Sequence, residues 1–175
     1  KKLAVTIGVK AAKNEHLLFT DADCFPTSKT WVSDMMAGFA PEGKLLVVGY
    51  SPYEKAKGFL NRFIRYDAFW NGVQYLGFAI KGKAYMAVGR NMAYTKTLFS
   101  SVGGFNSHIY IESGDDDLFV QQAANRKNTN VVITPSSLVY TKAQTSFSGW
   151  IAQKARHLTT APLYKFSHRF VLAFE

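Results

Sequence analysis

The chain has 175 residues, enough for one domain with a substantial core, and its composition excludes a disordered protein. Apolar residues make up 47% of it, yet no apolar run approaches the roughly 18 residues that a membrane span needs. The formal charge of +9 suits nucleic acid, an anionic membrane or a phosphate-bearing substrate as partner. The single cysteine, Cys24, excludes an internal disulfide framework and a multi-cysteine zinc site.

Helical and strand patterns alternate along the chain, which predicts an α/β domain. From the start we predict a helix over 3–12, a strand over 16–20 extending to Asp23, a helix capped within 26–28 and reaching Phe39, a strand over 44–50 and a long aromatic-rich helix over about 53–76. Further along we predict a strand over 85–94, a helix over 97–102, a helix opened by Asp115, strands over 131–134 and 138–141, and a helix over 147–158. Because the chain opens on Lys1-Lys2 within a helical pattern, we expect a fragment of a single domain spanning 1–175.

The first acidic site is Asp21-Ala22-Asp23, which follows a short apolar run. In a strand, residues two apart face the same way, so both carboxylates would converge at the edge of the sheet. That edge is where α/β sheets bind ligands, and paired carboxylates suit Mg²⁺ or Mn²⁺ with a phosphate supplying further ligands. The alternative is a turn, since Asp is common where strands end.

The second acidic site is Asp115-Asp116-Asp117, which follows Ser113-Gly114. One interpretation is helix capping, because acidic residues in a first turn accept hydrogen bonds from free N–H groups. Three adjacent carboxylates exceed what capping needs, and their mutual repulsion raises one another's pKa, as a general base requires. From the residues alone, both interpretations stay open.

Two other features have a functional and a structural interpretation. Arg90 and Asn91 lie in an apolar segment, where they would bind substrate or form a buried polar pair satisfied by backbone groups. The aromatic stretch with Trp70 and Tyr75 could stack on sugar rings, although aromatics at helical spacing more often belong to the core.

Four segments, in this order, resemble glycosyltransferase family 2, a family of inverting enzymes with a GT-A fold. They are 17–26 (LLFTDADCFP), 89–94 (GRNMAY) with 102–105 (VGGF), 114–118 (GDDDL) and 153–157 (QKARH). The resemblance implies an α/β, GT-A-like (Rossmann-like) mixed sheet flanked by helices, with the N-terminal strands of the domain lying before Lys1. Two positions depart from the family pattern, because Gly114 replaces a Glu and His157 replaces a Trp.

The resemblance also implies roles for individual residues. Asp21 would contact the ribose or the metal, and Asp23 would ligate the metal that bridges the donor diphosphate. Asp115 would be the catalytic base, with Asp116 as its rival. The remaining positions are Gln153 and Arg156 near the diphosphate, and Arg90, Asn91 and Asp117 on the acceptor side.

We therefore expect an inverting hexosyltransferase that uses Mg²⁺ or Mn²⁺, a nucleoside-diphosphate-sugar donor and a carbohydrate or lipid-linked acceptor. Its expected setting is polysaccharide or glycolipid synthesis at the cytoplasmic face of the cell membrane, with 147–175, including the tail from Lys165, as interfacial helices. The alternatives are a metal-dependent nucleotidyltransferase and a basic, non-catalytic module that binds nucleic acid or membrane. For a glycosyltransferase, no nucleic-acid partner is expected.

Overall fold

The computed structural model describes residues 1–165, and a four-stranded mixed sheet lies at its centre. The strands are β1 (His16–Phe19), β2 (Cys24–Pro26), β3 (Leu46–Gly49), β4 (Met92–Thr95), β5 (Thr129–Val132) and β6 (Val139–Thr141). The central sheet has the order β1-β4-β3-β5, in which β3 and β5 are parallel and the other pairs antiparallel. A separate antiparallel pair, β2 and β6, stands beside it.

Helices cover both faces of the sheet. They are α1 (Lys2–Ala11), α2 (Trp31–Ala37), α3 (Phe59–Ile80), α4 (Lys96–Ser101), α5 (Asp117–Ala123) and α6 (Phe147–Leu158), with short 3-10 turns at Asn106–His108, Pro135–Ser137 and Ala161–Leu163. The predicted bounds of α6 match the structure at both ends. The Ser146 side chain accepts a hydrogen bond from the Gly149 N–H and caps this helix. The alternation of strands and helices predicted from the sequence is confirmed.

The hydrophobic core is divided by the sheet. On one face, Val47 and Ala93 pack with Met35 of α2. On the other face, a larger cluster joins the sheet to α1 and α3–α5, and it includes Val9, Leu46, Val48, Tyr75, Met92, Tyr94, Phe99, Phe105 and Phe119. Because β3 is buried on both faces, the middle of the sheet is a rigid base from which the connecting loops project.

The prediction that the first strand is buried and extends to Asp23 is wrong. β1 ends at Phe19, is only partly buried and forms an edge of the sheet. The next residues form a tight turn in which the Cys24 N–H donates to the Asp21 carbonyl at 3.1 Å, and the chain then enters β2. The turn that we held as the alternative is therefore the structure of this segment.

The strand predicted over 85–94 is also much shorter in the structure, where only Met92–Thr95 is extended and paired. Residues 89–90 form a turn, and the Asn91 N–H donates to the Val88 carbonyl at 3.0 Å. The Asn91 side chain then lies directly against Gly49, where an added Cβ would meet its Nδ2 atom at 2.6 Å. This close approach needs a glycine in β3 and aligns the 88–91 loop with the end of that strand.

The long aromatic helix begins at Phe59, six residues after its predicted start, and its aromatic residues divide between core and surface. Tyr75 is buried at 2% exposure and donates to the Gly49 carbonyl at 3.0 Å, whereas Trp70 is 51% exposed. The interpretation that these aromatic residues belong to the core is therefore right for Tyr75 and wrong for Trp70. Across residues 1–165, no helix combines the length and the apolar character that crossing a membrane would require.

Candidate functional site

The turn after β1 brings three potential ligands together. One side-chain oxygen each from Asp21 and Asp23 and the sulfur of Cys24 all lie within 4.8 Å of one another. The Cys24 thiol donates to the Asp23 carboxylate at 3.5 Å, and burial raises the pKa of Cys24. Mg²⁺ and Mn²⁺ are cations that prefer carboxylate oxygens to a sulfur ligand. The donor set therefore fits Mg²⁺ or Mn²⁺ through Asp21 and Asp23.

The second acidic cluster is shaped by Gly114, which has φ +94°. An added Cβ there would lie 2.6 Å from the Leu118 Cδ1 atom, so the backbone conformation and the space both favour glycine. Gly114 stands where the family pattern has a Glu, and its local conformation suits glycine. The helix itself begins two residues later than predicted, since Asp116 is its N-cap and Asp117 its first residue.

The three carboxylates of this cluster differ in their surroundings. Asp116 accepts hydrogen bonds from the Gly89 N–H at 2.9 Å and the Asp117 N–H at 2.8 Å. Asp117 is buried, and its Oδ2 atom accepts from the hydroxyl groups of Thr160 and Tyr164. Asp115 has a side chain 15% exposed and pairs with the Lys1 ammonium group. Of the three, Asp115 therefore has its carboxylate paired with a side-chain cation.

These contacts give Asp117 a structural role. Its carboxylate joins the segment after α6 to the start of α5, with the Tyr164 hydroxyl 2.7 Å away. The expected place of Asp117 on the acceptor side stays a prediction. The helix-capping interpretation is confirmed for Asp116.

Burial raises the pKa of Asp116 to about 6, and the negative charges of Asp117 and Asp115 add to this effect. The two hydrogen bonds from backbone N–H groups act in the opposite direction and limit the shift. The raised pKa is what a general base requires, but both carboxylate oxygens of Asp116 are occupied by backbone donors. The raised pKa thus favours Asp116 as the base, whereas the hydrogen bonds that occupy both of its oxygens favour Asp115.

Lys1 connects the two acidic sites. Its Nζ atom lies 2.9 Å from Asp21 Oδ1 and 3.0 Å from Asp115 Oδ2. Burial lowers the pKa of Lys1, but the hydrogen bonds and charges of the two aspartates outweigh that effect and raise it above its usual value. Two carboxylates that share one ammonium group lie at one place, so the two acidic sites form a single centre.

The neighbouring Lys2 fixes the loop that leads to the second acidic cluster. Lys2 is 5% exposed, and its ammonium group donates to the carbonyls of His108 and Ile111 in the loop that leads to the second acidic cluster. The His108 ring lies against Phe105, and its Nδ1 atom is 2.8 Å from the Ser107 hydroxyl. The sequence does not identify either lysine as part of the site, because nothing in a Lys-Lys pair shows which distant carbonyl or carboxylate each one contacts.

Arg90 and Asn91 differ in burial and in the contacts that their side chains make. Asn91 is fully buried; its amide donates to the carbonyls of Tyr50 at 2.7 Å and Ser137 at 2.9 Å. Its Oδ1 atom accepts from the Trp31 indole N–H at 3.1 Å. The buried-polar interpretation is therefore confirmed for Asn91, whereas its expected place on the acceptor side stays a prediction. Arg90 is partly exposed, although it donates to the Ser51 hydroxyl at 2.7 Å and its guanidinium carbon lies 5.2 Å from the centre of the Tyr53 ring.

The second half of α6 carries positively charged residues. Partial desolvation lowers the pKa of His157, and the positive charges of Arg156, Arg90 and Lys154 lower it further. Arg156 is exposed, and Lys154 pairs with Asp67 at 2.5 Å. Gln153 lies 3.4 Å from the Tyr53 hydroxyl, on the same ring that Arg90 covers. The 153–157 segment thus faces Arg90.

Residues 21–173 match a family model described as Glycosyl transferase family group 2. The chain belongs to this family. No curated protein matches the sequence at a significant level. Among solved structures, the fold is similar to that of the mannosyltransferase PcManGT from Pyrobaculum calidifontis, determined in complex with GDP-mannose and Mn²⁺, with a TM-score of 0.59 and 16% identity.

The likeness covers 90% of this chain and 41% of the mannosyltransferase chain. It confirms the GT-A-like α/β fold with a mixed sheet flanked by helices, and the family model confirms the resemblance seen in the sequence. In this member of glycosyl transferase family group 2, the matched region contains both acidic sites and the 153–157 segment. The roles expected for Asp21, Asp23, Asp115, Gln153, Arg156 and Arg90 remain predictions.

Proposed function

We propose that the chain is the catalytic part of an inverting, metal-dependent glycosyltransferase. It would move a sugar, a hexose on our expectation, from a nucleoside-diphosphate-sugar donor to a hydroxyl group of a carbohydrate or lipid-linked acceptor. The observation that carries the proposal is the single acidic centre, in which Asp21 and Asp115 approach the same ammonium group. Membership of the family and the fold shared with a mannosyltransferase support the same reaction class.

The donor would bind at the turn after β1. Asp21 and Asp23 would hold Mg²⁺ or Mn²⁺, and the bound ion would neutralise the charge that develops on the departing diphosphate. The positive groups Arg90 and Arg156 offer hydrogen-bond donors for phosphate oxygens. Gln153, close to the Tyr53 hydroxyl, would complete this side.

The transfer step needs one base. Asp115 would take the proton of the acceptor hydroxyl as the acceptor oxygen forms its bond to the anomeric carbon. The bond from that carbon to the diphosphate oxygen breaks on the opposite side, which inverts the configuration. Geometry supports Asp115 because its carboxylate shares Lys1 with the donor turn, while the oxygens of Asp116 are held by Gly89 and Asp117.

The metal role is tested by calorimetry on the full-length protein with nucleoside diphosphates, in Mn²⁺ and in EDTA. We expect tighter binding in Mn²⁺, and the difference should disappear in the double variant Asp21→Asn/Asp23→Asn. The variant Asp34→Asn, which removes a carboxylate from α2, is the matched control and should keep the difference. Equal binding by the wild type in Mn²⁺ and EDTA would refute the metal role.

Membrane association is a second part of the proposal, and the exposed face of α3 supports it. Six large apolar residues fall within about 100° of arc on this helix, at 100° per residue, and all are exposed. They are Phe59, Tyr66, Phe69, Trp70, Val73 and Ile80. Aromatic residues at this density are typical of a membrane interface.

Helix α6 lies beside α3 and adds to this surface. Phe63 of α3 packs against Trp150 at 5.1 Å between ring centres, and Phe147, Ile151 and Leu158 are exposed along one face of α6. The charge of +9 complements an anionic leaflet. We therefore propose that α3 and α6 rest on the cytoplasmic face of the cell membrane, consistent with polysaccharide or glycolipid synthesis. The expected tail beyond Lys165 lies outside the described residues.

Flotation with vesicles containing anionic phosphatidylglycerol tests this surface. The double variant Phe69→Ser/Trp70→Ser should lose most of the vesicle-bound fraction while keeping its thermal stability, because both side chains are already exposed to water. The double variant Val32→Ser/Ile133→Ser removes exposed apolar residues elsewhere and should bind like the wild type. If both double variants bind equally, α3 is not the contact surface.

A further inference from the structure

The side chain of Lys1 is placed by the fold rather than free on the surface. Lys1 directly precedes α1, whose buried residues Lys2 and Val9 fix the helix against the rest of the domain. Because Lys2 bonds to the carbonyls of His108 and Ile111, the start of α1 is tied to the loop that precedes Asp115. The position of Lys1 relative to that loop is therefore determined by contacts that Lys1 does not itself make.

Gly89 lies next to the same ammonium group. A Cβ added to Gly89 would lie 3.5 Å from Lys1 Nζ, an ordinary contact, and 3.2 Å from Asp116 Oδ2, a tight one. The Lys1 side chain thus ends above the 88–91 loop and between the two acidic segments, in contact with Asp21 and Asp115. Three separate parts of the chain meet at this one nitrogen.

The two ion pairs of Lys1 differ in exposure, and this difference indicates which one is easier to break. The side chain of Asp21 is 38% exposed, whereas that of Asp115 is 15% exposed. Exposed ion pairs contribute little because water and salt screen them, while breaking a more buried pair leaves a poorly solvated charge. A divalent cation at the turn would therefore displace Lys1 from Asp21 more easily than from Asp115.

We propose that Lys1 is a positioning residue that holds Asp115 toward the donor site and competes with the metal for Asp21. This inference rests on the proposed function, since it assigns Lys1 to the same centre. Without metal, the ammonium group offsets the repulsion between the two acidic segments. With metal bound, Lys1 keeps its contact with Asp115, so the candidate base remains aligned with the donor turn while Asp21 is released.

The test compares Lys1→Met, Lys1→Arg and Lys10→Met in the full-length protein. Lys10 is exposed on the same helix and gives the same change in charge. The first measurement is Mn²⁺ affinity by calorimetry in the absence of donor. We expect Lys1→Met to bind Mn²⁺ about 2- to 10-fold more tightly, because it removes a competitor for one exposed carboxylate, an effect of up to about 1.4 kcal/mol. Lys10→Met should bind Mn²⁺ like the wild type.

The second measurement is steady-state transfer. Lys1→Met should lower kcat about 10-fold or more with a smaller change in the KM for donor, and Lys1→Arg should regain most of the rate because it keeps a cation with hydrogen-bond donors. A lysine with a merely structural role would lower Mn²⁺ affinity, thermal stability and kcat together, which would overturn the proposal. Unchanged Mn²⁺ affinity in Lys1→Met, or no Mn²⁺ binding by the wild type, would overturn the competition. If no nucleotide sugar is a substrate, the proposed function fails, while the Mn²⁺ titration still decides the role of Lys1.

Discussion

Replacing Asn91 by Ala should strongly destabilise the protein, because three hydrogen bonds depend on its fully buried side chain. The amide donates to the carbonyls of Tyr50 at 2.7 Å and Ser137 at 2.9 Å, and Oδ1 accepts from Trp31 at 3.1 Å. Each bond contributes about 1 kcal/mol net, and buried partners left without a bond add to the loss, so the free energy of unfolding should fall by about 3–5 kcal/mol. Since a domain has only about 5–15 kcal/mol in total, this loss would be large.

Urea unfolding followed by circular dichroism measures this loss. Asn71→Ala is the matched control, since the Asn71 amide donates to the Asp67 carbonyl at 2.7 Å and to the Asp67 carboxylate at 3.3 Å within the same helix. That change should cost less than about 1 kcal/mol. If Asn91→Ala unfolds within about 1 kcal/mol of the wild type but loses transfer activity, Asn91 belongs to the substrate site and our structural assignment is wrong.

Three further predictions concern the second acidic cluster. Gly114→Ala should lower the free energy of unfolding by about 1–3 kcal/mol, because the backbone has φ +94° and the new Cβ would meet Leu118 at 2.6 Å. Asp116 has its pKa raised from 3.8 to about 6, so the folded state binds the proton more tightly and loses stability as the pH rises through this interval. Between pH 4.5 and 7.5 this fall amounts to about 2 kcal/mol, and Asp116→Asn should remove it, as measured by urea unfolding at the two pH values. Tyr164→Phe removes a 2.7 Å hydrogen bond to the carboxylate of Asp117 and should increase proteolysis after α6, with a stability loss of about 1.5–3 kcal/mol.

Each of these changes has a control or a contrary outcome. Gly43→Ala shares a positive φ of +77° but meets no atom within 4 Å, so it should cost less than Gly114→Ala; equal losses would mean that the contact with Leu118 is unimportant. An effect of Asp116→Asn that is the same at both pH values would contradict the raised pKa. Tyr110→Phe alters a side chain that is 99% exposed and should leave proteolysis unchanged.

The sequence was sufficient where the relevant interactions are local. The predicted bounds of α6 match the structure, and the two carboxylates after the first apolar run, Asp21 and Asp23, do come together. Even here the geometry differed. The pair converges because of a turn, not because residues two apart in a strand face the same way.

The sequence was insufficient where a residue's role depends on a distant partner. Lys1 contacts Asp21 and Asp115, which no local pattern connects. The second acidic cluster consists of three aspartates in a row, which the sequence cannot tell apart. In the structure Asp115 pairs with a lysine, Asp116 caps a helix and Asp117 is buried and accepts from the Tyr164 hydroxyl. The helical spacing of the aromatic residues in α3 favoured a place in the core, but Phe59, Tyr66, Phe69 and Trp70 are exposed whereas Tyr75 is buried. Spacing alone does not show which face of a helix meets the sheet.

The most direct test of the account compares sugar transfer by the wild type and by Asp115→Asn in the full-length protein. Release of nucleoside diphosphate from a panel of nucleotide sugars, with Mn²⁺ and an acceptor, measures turnover, and calorimetry measures donor binding. We predict that Asp115→Asn lowers kcat by about 10²–10⁴-fold, as expected for loss of a general base, and leaves the Kd for donor within a few-fold of the wild type. Transfer at the wild-type rate by Asp115→Asn, with loss of turnover in Asp116→Asn instead, would contradict the account.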